Sequence, residues 1–361
     1  MPEKRIYFYY RCIAGNYTAH KIRTAFPPAR GKGKEISMYK TEIAAYANYL
    51  PPKAVTNDDL STMVETNDEW IRTRTGISTR HVSTGETASD MCVKVAEKLI
   101  EKSGISPLDI DMIIVATITP DFSTPNTACL VQAAIGAENA FAFDLSAACS
   151  GFVYAMSVAD KYIKSGAAKN ILVFGSEVLS AITDWTDRSS CVLFGDGAGG
   201  VLVRASETSG GVIAEDIHSN GTDGHKLTGN ALYIDTPFFD NEKQKQPYLQ
   251  MDGRAIFTFA TKKVPQSVSA VLEKAGVSGD DIAYIVPHQA NYRIVEAMAK
   301  RLDMPLDKFY MNIDKCGNTS SASIPIALAE MDEKGLLKKG DKIVITGFGG
   351  GLTWGSILLE I

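Results

Sequence analysis

The strongest constraint on the fold is a thirteen-residue segment that occurs twice, 172 positions apart. Residues 102–114 align without a gap to residues 274–286; six pairs are identical and three more exchange apolar residues. Each copy has the order typical of a helix end, a glycine, a turn and a buried strand. A shorter echo links residues 171–175 to residues 343–347. A solenoid needs at least about three repeats. Two copies instead predict a duplicated domain with pseudo-twofold symmetry and a site where the halves meet.

The rest of the chain alternates β-rich runs with helical periodicity, which predicts a layered α/β fold. Strands are predicted at residues 112–117, 139–144, 170–174 and 342–346. Helices are predicted at residues 149–165 and 324–331. We expect three segments: a basic N-terminal extension at 1–37, a first half at 38–210 and a second half at 211–361.

The composition excludes several classes of protein. The 361 residues are 45% apolar and 22% charged, which is ordinary for a globular protein. The longest apolar runs have the length of strands, so no membrane span is expected. The six cysteines lack the spacing of a zinc site or a disulfide framework. We therefore expect a reducing compartment, the cytoplasm.

The net charge of −5 is unevenly distributed. Residues 1–37 hold eight Lys or Arg and two Glu, a balance of +6, which leaves −11 for the rest. An acidic body disfavours nonspecific nucleic-acid binding. The basic extension has no long apolar stretch, so it is not a secretory signal. A transit peptide, a disordered tail and a non-native extension before a natural start at Met38 remain open; the last is favoured, because Lys34 and Glu35 can be encoded as a ribosome-binding sequence.

Cys149 is the candidate nucleophile. It follows an apolar run and three small residues, and it opens the predicted helix at 149–165. At a helix start, the positive end of the helix dipole lowers the pKa of a thiol and raises its thiolate fraction. By position alone, a buried inert cysteine is an equally good interpretation.

Two further polar residues occupy comparable positions in the second half. His288 follows the second repeated strand, and reactive groups in α/β folds lie at strand ends. Asn318 lies among small residues before the helix at 324–331, and shifting Cys149 by 172 positions reaches Ser321, three residues away. The alternatives are a histidine satisfied at a strand edge and a plain helix cap, which Asn favours.

Two glycine clusters and one basic stripe complete the candidates. Residues 194–200 match a dinucleotide motif by count but run into a strand, so they predict a tight turn between strands rather than nucleotide binding. Residues 347–351 suit a backbone that approaches a substrate closely. Arg293, Lys300 and Arg301 share one helix face. That face is either an ordinary solvated surface or a docking site for an acidic partner.

Together these motifs resemble the β-ketoacyl-acyl-carrier-protein synthase III family, condensing enzymes of the thiolase superfamily that start type II fatty-acid synthesis. The resemblance extends from about Met38 to Ile361, and the segments that carry it are 67–76, 147–151, 194–199, 288–293, 317–320 and 347–355. It implies a five-layered α-β-α-β-α thiolase fold built from the two halves. It also implies a homodimer, with a residue near Thr124 of the partner copy closing the acyl pocket.

The resemblance implies roles for individual residues. The catalytic triad would be Cys149, His288 and Asn318, and the N–H groups of Cys149 and Gly350 would form the oxyanion hole. The residues that would hold coenzyme A are Trp70, Arg74, Arg188, Met251, Gly253, Phe257, Ala290 and Asn291. The residues that would dock the acyl carrier protein are Gln289, Arg293, Lys300 and Arg301. A further basic docking position of some members corresponds to Thr258 here.

The implied reaction condenses an acyl-CoA starter, expected to be acetyl-CoA, with malonyl-acyl-carrier protein and releases carbon dioxide. It implies no metal or cofactor, because the coenzyme A thioester is a substrate. One alternative is a related starter-unit enzyme of secondary metabolism. Another is a binding module for acyl-CoA or carrier protein that performs no chemistry, although a non-catalytic subunit would lack Cys149.

Overall fold

The computed structural model describes residues 39–208, 210–229, 238 and 248–361. The extension expected at residues 1–37 lies outside the described residues. The elements of the first half are β1 (Lys40–Tyr49), β2 (Ala54–Thr56), α1 (Asn57–Ser61), α2 (Asp68–Thr75), β3 (Thr79–His81), α3 (Ala88–Ser103), β4 (Met112–Ala116), α4 (Thr127–Ala134), β5 (Phe141–Leu145), α5 (Gly151–Lys164), β6 (Asn170–Glu177), α6 (Arg188–Cys191) and β7 (Gly197–Ser206).

The second half repeats much of this order. Its elements are β8 (Gly211–Ser219), β9 (Leu227–Thr228), β10 (Gln250–Met251), α7 (Gly253–Ala275), β11 (Ile282–Pro287), α8 (Tyr292–Leu302), α9 (Ile313–Cys316), α10 (Ser323–Glu333), β12 (Lys342–Gly349) and β13 (Thr353–Glu360). The segment duplicated in the sequence is duplicated in structure. Gly104 and Gly276 end α3 and α7 with left-handed φ values of 66° and 64°. A 3₁₀ turn and then a buried strand follow each glycine.

Two mixed sheets carry the halves. The first has the order β1-β7-β6-β4-β5, with β4 parallel to both β5 and β6. The second has the order β11-β12-β13-β8, with β11 parallel to β12. A single parallel bridge between Ile285 and Phe309 occupies the place that β5 has in the first sheet. Because the sheets use residues from 40–206 and 211–360, we propose that the segments 38–210 and 211–361 are copies of one unit.

The helices form three layers around these sheets. Helices α5 and α10 lie between the sheets, where Phe152 and Leu328 share one buried cluster with Val173 and Ile345. Helices α3 and α4 cover the outer face of the first sheet, and α7 and α8 cover the outer face of the second. The expected five-layered α-β-α-β-α arrangement is therefore confirmed. No helix among the described residues is long and apolar enough to cross a membrane.

The prediction of a tight turn at residues 194–200 is wrong for most of that segment. Strand β7 begins at Gly197 and includes Gly199 and Gly200. A Cβ atom at Gly199 would lie 2.5 Å from the backbone N of Ile326, and one at Gly200 would lie 2.5 Å from the Phe174 ring. These glycines let α10 and β6 pack directly against the strand.

Candidate active site

Two short turns, one from each half, form the centre of the candidate site. The 3₁₀ turn Ala148–Ser150 precedes α5, and the 3₁₀ turn Ser320–Ala322 precedes α10. Their bounds differ by 172 positions, and both begin with a residue of left-handed φ, 46° at Ala148 and 48° at Ser320. Cys149 is therefore the structural counterpart of Ser321. The two helix starts are therefore related by the offset of the repeat, and Asn318 lies three residues before the counterpart of Cys149.

A cavity of about 550 Å³ lies between the halves beside these turns. Cys149, His288 and Asn318 all line it, and so does Gly350. The structure thus brings together the four residues that the sequence nominated for chemistry. Its inner wall is apolar; the residues that form it include Ile118, Leu179, Ile182, Phe194 and Leu249.

Cys149 lies against the end of β12. A Cβ atom at Gly349 would come within 2.8 Å of the Cys149 backbone N and 2.9 Å of its Cβ, so glycine is required there. The expectation that a helix start lowers the Cys149 pKa is wrong. Helix α5 begins two residues later, and burial raises the pKa of the thiol to about 12, which the nearby Ser320 hydroxyl opposes in part. Free Cys149 is therefore a thiol, and its attack needs a base.

His288, which lines the same cavity, is the candidate for that base. Its side chain is buried, with one ring edge against Phe348, and burial lowers its pKa to about 3. The imidazole is therefore neutral. Its Nδ1 lies 2.7 Å from Ser323 Oγ, which lies 2.9 Å from the Ser320 carbonyl oxygen.

The single proton of Ser323 Oγ can serve either neighbour. Donation to the Ser320 carbonyl leaves Nδ1 of His288 as the protonated nitrogen, and Nε2 is then an acceptor. Donation to Nδ1 instead makes Nε2–H a donor. The pair can therefore supply both a proton acceptor and a hydrogen-bond donor from one ring.

Asn318 is held so that one end of its amide stays free. Its Oδ1 accepts a 2.9 Å hydrogen bond from the Ser320 backbone N–H. Its own backbone is bonded on both sides, to the Leu193 carbonyl and from the Gly195 N–H, each at 2.9 Å. Nδ2 makes no hydrogen bond to any described residue, which leaves both of its protons available as donors.

The mouth of the cavity holds the residues expected to bind coenzyme A. Trp70 is flanked by two guanidinium groups, from Arg74 at 4.7 Å and Arg188 at 4.8 Å. Asn291 Nδ2 donates to the Arg74 carbonyl at 3.0 Å and so joins the start of α8 to the end of α2. The other lining residues on this expected list are Met251, Gly253, Phe257 and Ala290. All eight therefore lie at or beside one opening, with Arg188 reaching it through Trp70.

One expected docking residue is misassigned. Gln289 is 1% exposed, so it cannot contact a partner. Its Nε2 donates to the carbonyls of Pro287 and Tyr310, and its Oε1 accepts from the Asn312 N–H. It is a structural residue that fixes the chain after β11.

The three basic docking candidates of α8 are exposed. Arg293, Lys300 and Arg301 all face solvent, and Arg293 Nε donates to the Thr73 carbonyl at 3.2 Å. That bond places the first of them beside α2 at the mouth. Thr258 on α7 is also exposed, and its hydroxyl donates to the Arg254 carbonyl.

Sequence reasoning missed Ser320 and Ser323, which orient Asn318 and His288. Their only sequence signal was the cluster of small residues after Asn318. It also missed Glu177, a fully buried carboxyl group near Cys149. The 172-residue offset relates Glu177 to Gly349 and could have singled it out.

Comparison with known proteins gives a consistent set of relatives. Two models of the 3-oxoacyl-acyl-carrier-protein (ACP) synthase III family match: the synthase III model at residues 143–221 and the synthase III C-terminal model at residues 272–361. A β-ketoacyl-acyl-carrier-protein synthase III from Streptococcus suis is 53% identical over 322 residues, which is 89% of this chain and 98% of that protein.

Solved structures agree. The crystal structure of 3-oxoacyl-acyl-carrier-protein synthase III from Aquifex aeolicus has a TM-score of 0.84 and 45% identity, and the match covers 89% of this chain and 100% of that one. The crystal structure of the priming β-ketosynthase of a polyketide biosynthetic pathway has a TM-score of 0.83 and 34% identity, covering 90% and 97%.

Proposed function

The chain belongs to the β-ketoacyl-acyl-carrier-protein synthase III family, and we propose that it condenses an acyl-CoA starter with malonyl-acyl-carrier protein through an acyl-enzyme on Cys149. One observation carries these residue assignments. Cys149, His288 and Asn318 line a single cavity with an apolar inner wall and a Trp–Arg mouth. An acyl chain suits the wall, and a nucleotide base and phosphates suit the mouth.

Acyl transfer uses His288 as the base. Its Nε2 accepts the proton of the Cys149 thiol while the sulfur attacks the thioester carbonyl. The N–H groups of Cys149 and Gly350 stabilise the tetrahedral oxyanion, and one such donor typically contributes about 2.7–4 kcal/mol. Collapse expels the coenzyme A thiolate, which takes the proton back from Nε2. The products are the Cys149 thioester and free coenzyme A.

Condensation uses the same ring as a donor. With Ser323 donating to Nδ1, the Nε2–H of His288 and the free Nδ2–H of Asn318 both point to one thioester oxygen of the malonyl group. They stabilise the enolate that forms as carbon dioxide leaves. The enolate carbon attacks the acyl-Cys149 carbonyl; collapse releases β-ketoacyl-carrier protein and expels the Cys149 thiolate, which takes up one proton from solvent to regenerate the thiol. Both steps are redox-neutral thioester chemistry, so the proposal includes no metal or redox cofactor.

The assignment is tested by treating the protein with acetyl-CoA and locating the acetyl group by mass spectrometry. We expect it on the peptide that contains Cys149. Adding malonyl-carrier protein should then remove it with release of carbon dioxide. An acetyl group on another cysteine, or acetyl-Cys149 that malonyl-carrier protein cannot discharge, would contradict the assignment.

The acidic carrier protein is proposed to dock on α8. Arg293, Lys300 and Arg301 form an exposed basic stripe that begins at the cavity mouth, on a body with a net negative charge. Such a stripe favours an acidic partner by electrostatic steering. A pantetheine arm of a docked carrier would then enter beside Asn291.

A homodimer is also proposed. Strand β5 is the edge of the first sheet, so its outer backbone groups are unpaired within that sheet. Phe141 at its start is 44% exposed, and Phe122 in the loop between β4 and α4 is 59% exposed. Thr124 in that loop is exposed as well, where a partner copy would bring it to the acyl pocket. Light scattering should give twice the chain mass, and a monomer would contradict the proposal.

A second candidate is a starter-unit enzyme of secondary metabolism, favoured by the likeness to a polyketide priming ketosynthase at 34% identity. The small Thr124 suits a longer or branched acyl group. Comparing turnover of acetyl-CoA and isobutyryl-CoA separates the candidates, because a fatty-acid starter enzyme of the expected kind prefers acetyl-CoA.

A cytoplasmic location is proposed for either function, since the five cysteines among the described residues are free thiols.

A further inference from the structure

Strands β6 and β12 are related by the pseudo-twofold axis, and each ends against one of the two turns that precede α5 and α10. Strand β12 ends at Gly349 against Cys149, and β6 ends at Glu177 against Ser321. Both strand ends and both turns are related by the same offset of 172 residues. A glycine therefore faces the nucleophile, whereas a carboxyl group faces its counterpart, with Glu177 Oε1 2.8 Å from Ser321 Oγ.

Glu177 is fully buried and has no charged partner among the described residues. Its Oε2 accepts hydrogen bonds from Thr119 Oγ1 at 2.7 Å, the Ile118 N–H at 3.1 Å and Thr117 Oγ1 at 3.2 Å. No Lys, Arg or His of the described residues forms an ion pair with it. A buried carboxylate without a cation is costly, and such a group takes up a proton instead.

The hydrogen bonds of Ser321 also favour a protonated Glu177. Ser321 Oγ has one proton but lies 2.8 Å from two oxygens, Glu177 Oε1 and the Ala116 carbonyl. A carbonyl oxygen can only accept. If Ser321 donates to Ala116, its contact with Glu177 is a hydrogen bond only when Oε1 carries a proton and donates to Ser321. A neutral Glu177 therefore satisfies every group in the cluster.

The turn that Glu177 contacts also carries the decarboxylation machinery. The Ser320 N–H holds Asn318 Oδ1, and the Ser320 carbonyl accepts from Ser323, the partner of His288. Ser320 Oγ is buried and makes no hydrogen bond of good geometry among the described residues. It still lies close enough to lower the pKa of both Cys149 and Glu177. Displacing this turn would displace both donors to the enolate.

We propose that Glu177 is a neutral carboxylic acid that positions the turn Ser320–Ala322, and through it Asn318 and His288, for the decarboxylation step. Burial raises the pKa of Glu177, in agreement with this state. The titratable groups that respond to its charge are Cys149, in the turn Ala148–Ser150, and Cys92 of α3. Because Asn318 and His288 act only if the reaction takes place at Cys149, this role rests on the proposed function.

The test compares Glu177→Gln with Glu177→Ala. The Gln side chain reproduces a neutral acid, since its amide oxygen can accept from Thr119 and its NH₂ can donate to Ser321. Decarboxylation of malonyl-carrier protein should fall roughly 10–100-fold in Glu177→Ala, as expected for a misplaced catalytic group. The decarboxylation rate of Glu177→Gln should be at least about tenfold higher than that of Glu177→Ala. Asp160→Asn is the matched control, because Asp160 is a buried carboxyl group whose partners Thr41, Lys161 and Lys164 lie outside the cavity lining.

The pH profile distinguishes a neutral acid from a merely structural residue. Wild-type decarboxylation should decline as Glu177 ionises, at a pH above the ordinary range of a glutamate because burial raises its pKa, whereas Glu177→Gln should lack that decline. Rates for Glu177→Gln that equal those of Glu177→Ala, or a decline as steep as in the wild type, would overturn the inference. Acetylation of Cys149 is measured in the same proteins. Its absence from the wild type would refute the proposed function itself, independently of the Glu177 variants.

Discussion

The turns Ala148–Ser150 and Ser320–Ala322 lie at equivalent positions in the two halves. Each begins with a residue of left-handed φ, and each is followed by a helix. Only the first presents its central side chain, the Cys149 thiol, to the cavity. Cys149 faces the cavity beside Gly349, whereas Ser321 is buried against Glu177. The duplicated backbone therefore provides two equivalent turns, and the central residue lines the cavity only in the turn that faces a glycine at the strand end.

A second difference concerns the helices that follow β4 and β11. Helix α4 carries no charged residue, and it lies next to the edge strand β5. Helix α8 carries Arg293, Lys300 and Arg301 on its exposed face. One half thus offers an uncharged surface suited to a second copy of the chain, and the other offers a basic surface suited to an acidic carrier.

The largest effect should come from exchanging the two turn residues. Cys149→Ser should abolish the acetyl-enzyme, because a serine hydroxyl there lacks the acidity and nucleophilicity of a thiol. Adding Ser321→Cys should not restore it, since that position is closed by Glu177. Mass spectrometry after acetyl-CoA treatment measures both. Acetylation of the cysteine at position 321 would show that the two turns are equally open.

Asn318→Ala should separate the two half-reactions. The counterpart of Asn318 in the first half is Ser146, so the amide donor has no duplicate. Decarboxylation should fall about 10²–10³-fold, the usual loss for one oxyanion donor. Acetylation of Cys149 in the same preparation should stay within a few fold of wild type. An equal loss in both assays would mean that Asn318 supports the nucleophile rather than the enolate.

The internal repeat predicted the paired strands and the paired helix starts, because periodicity and offset survive in the sequence. The motifs of the family resemblance were needed to place Cys149, His288 and Asn318 in one site. Gln289 could not be assigned correctly in the same way. It belongs to the same motif as His288, but its inward orientation depends on Tyr310 and Asn312, which lie about twenty residues further along the chain.

The remaining errors have the same physical origin. The glycines of β7 are required by contacts with Phe174 and Ile326 that no local pattern contains. The pKa of Cys149 is raised by desolvation, which depends on tertiary packing around the thiol. Local signals therefore located the elements and the reactive groups, and tertiary packing determined their protonation and accessibility.

The pH dependence of stability should reveal a further asymmetry, since His288 corresponds to Ala116 in the first half. The His288 pKa is lowered to about 3 by burial, from an ordinary value of 6.5. Between those values the unfolded chain binds a proton that the native protein excludes, so His288 lowers the free energy of unfolding as pH falls. The contribution is at most about 1.4 kcal/mol per pH unit.

Replacing His288 by Ala should remove that contribution. Urea unfolding between about pH 6.5 and pH 4 should give a shallower fall in the free energy of unfolding for His288→Ala than for wild type. Above about pH 7 the two curves should run parallel, because neither state then binds the proton. Identical slopes in the acid range would show that His288 is protonated in the native protein.

The smallest effect should come from the basic surface of α8. Arg293→Glu should raise the KM for malonyl-carrier protein about 3–10-fold, the size expected for one rim charge, and the effect should shrink at high salt. Acetyl transfer from acetyl-CoA should be spared. Lys338→Glu makes the same charge change at an exposed position between α10 and β12, so it controls for net charge. If Lys338→Glu raised the KM as much, the carrier would be responding to the charge of the whole body. A rise in KM confined to Arg293→Glu would locate carrier docking on α8, in the second half of the chain.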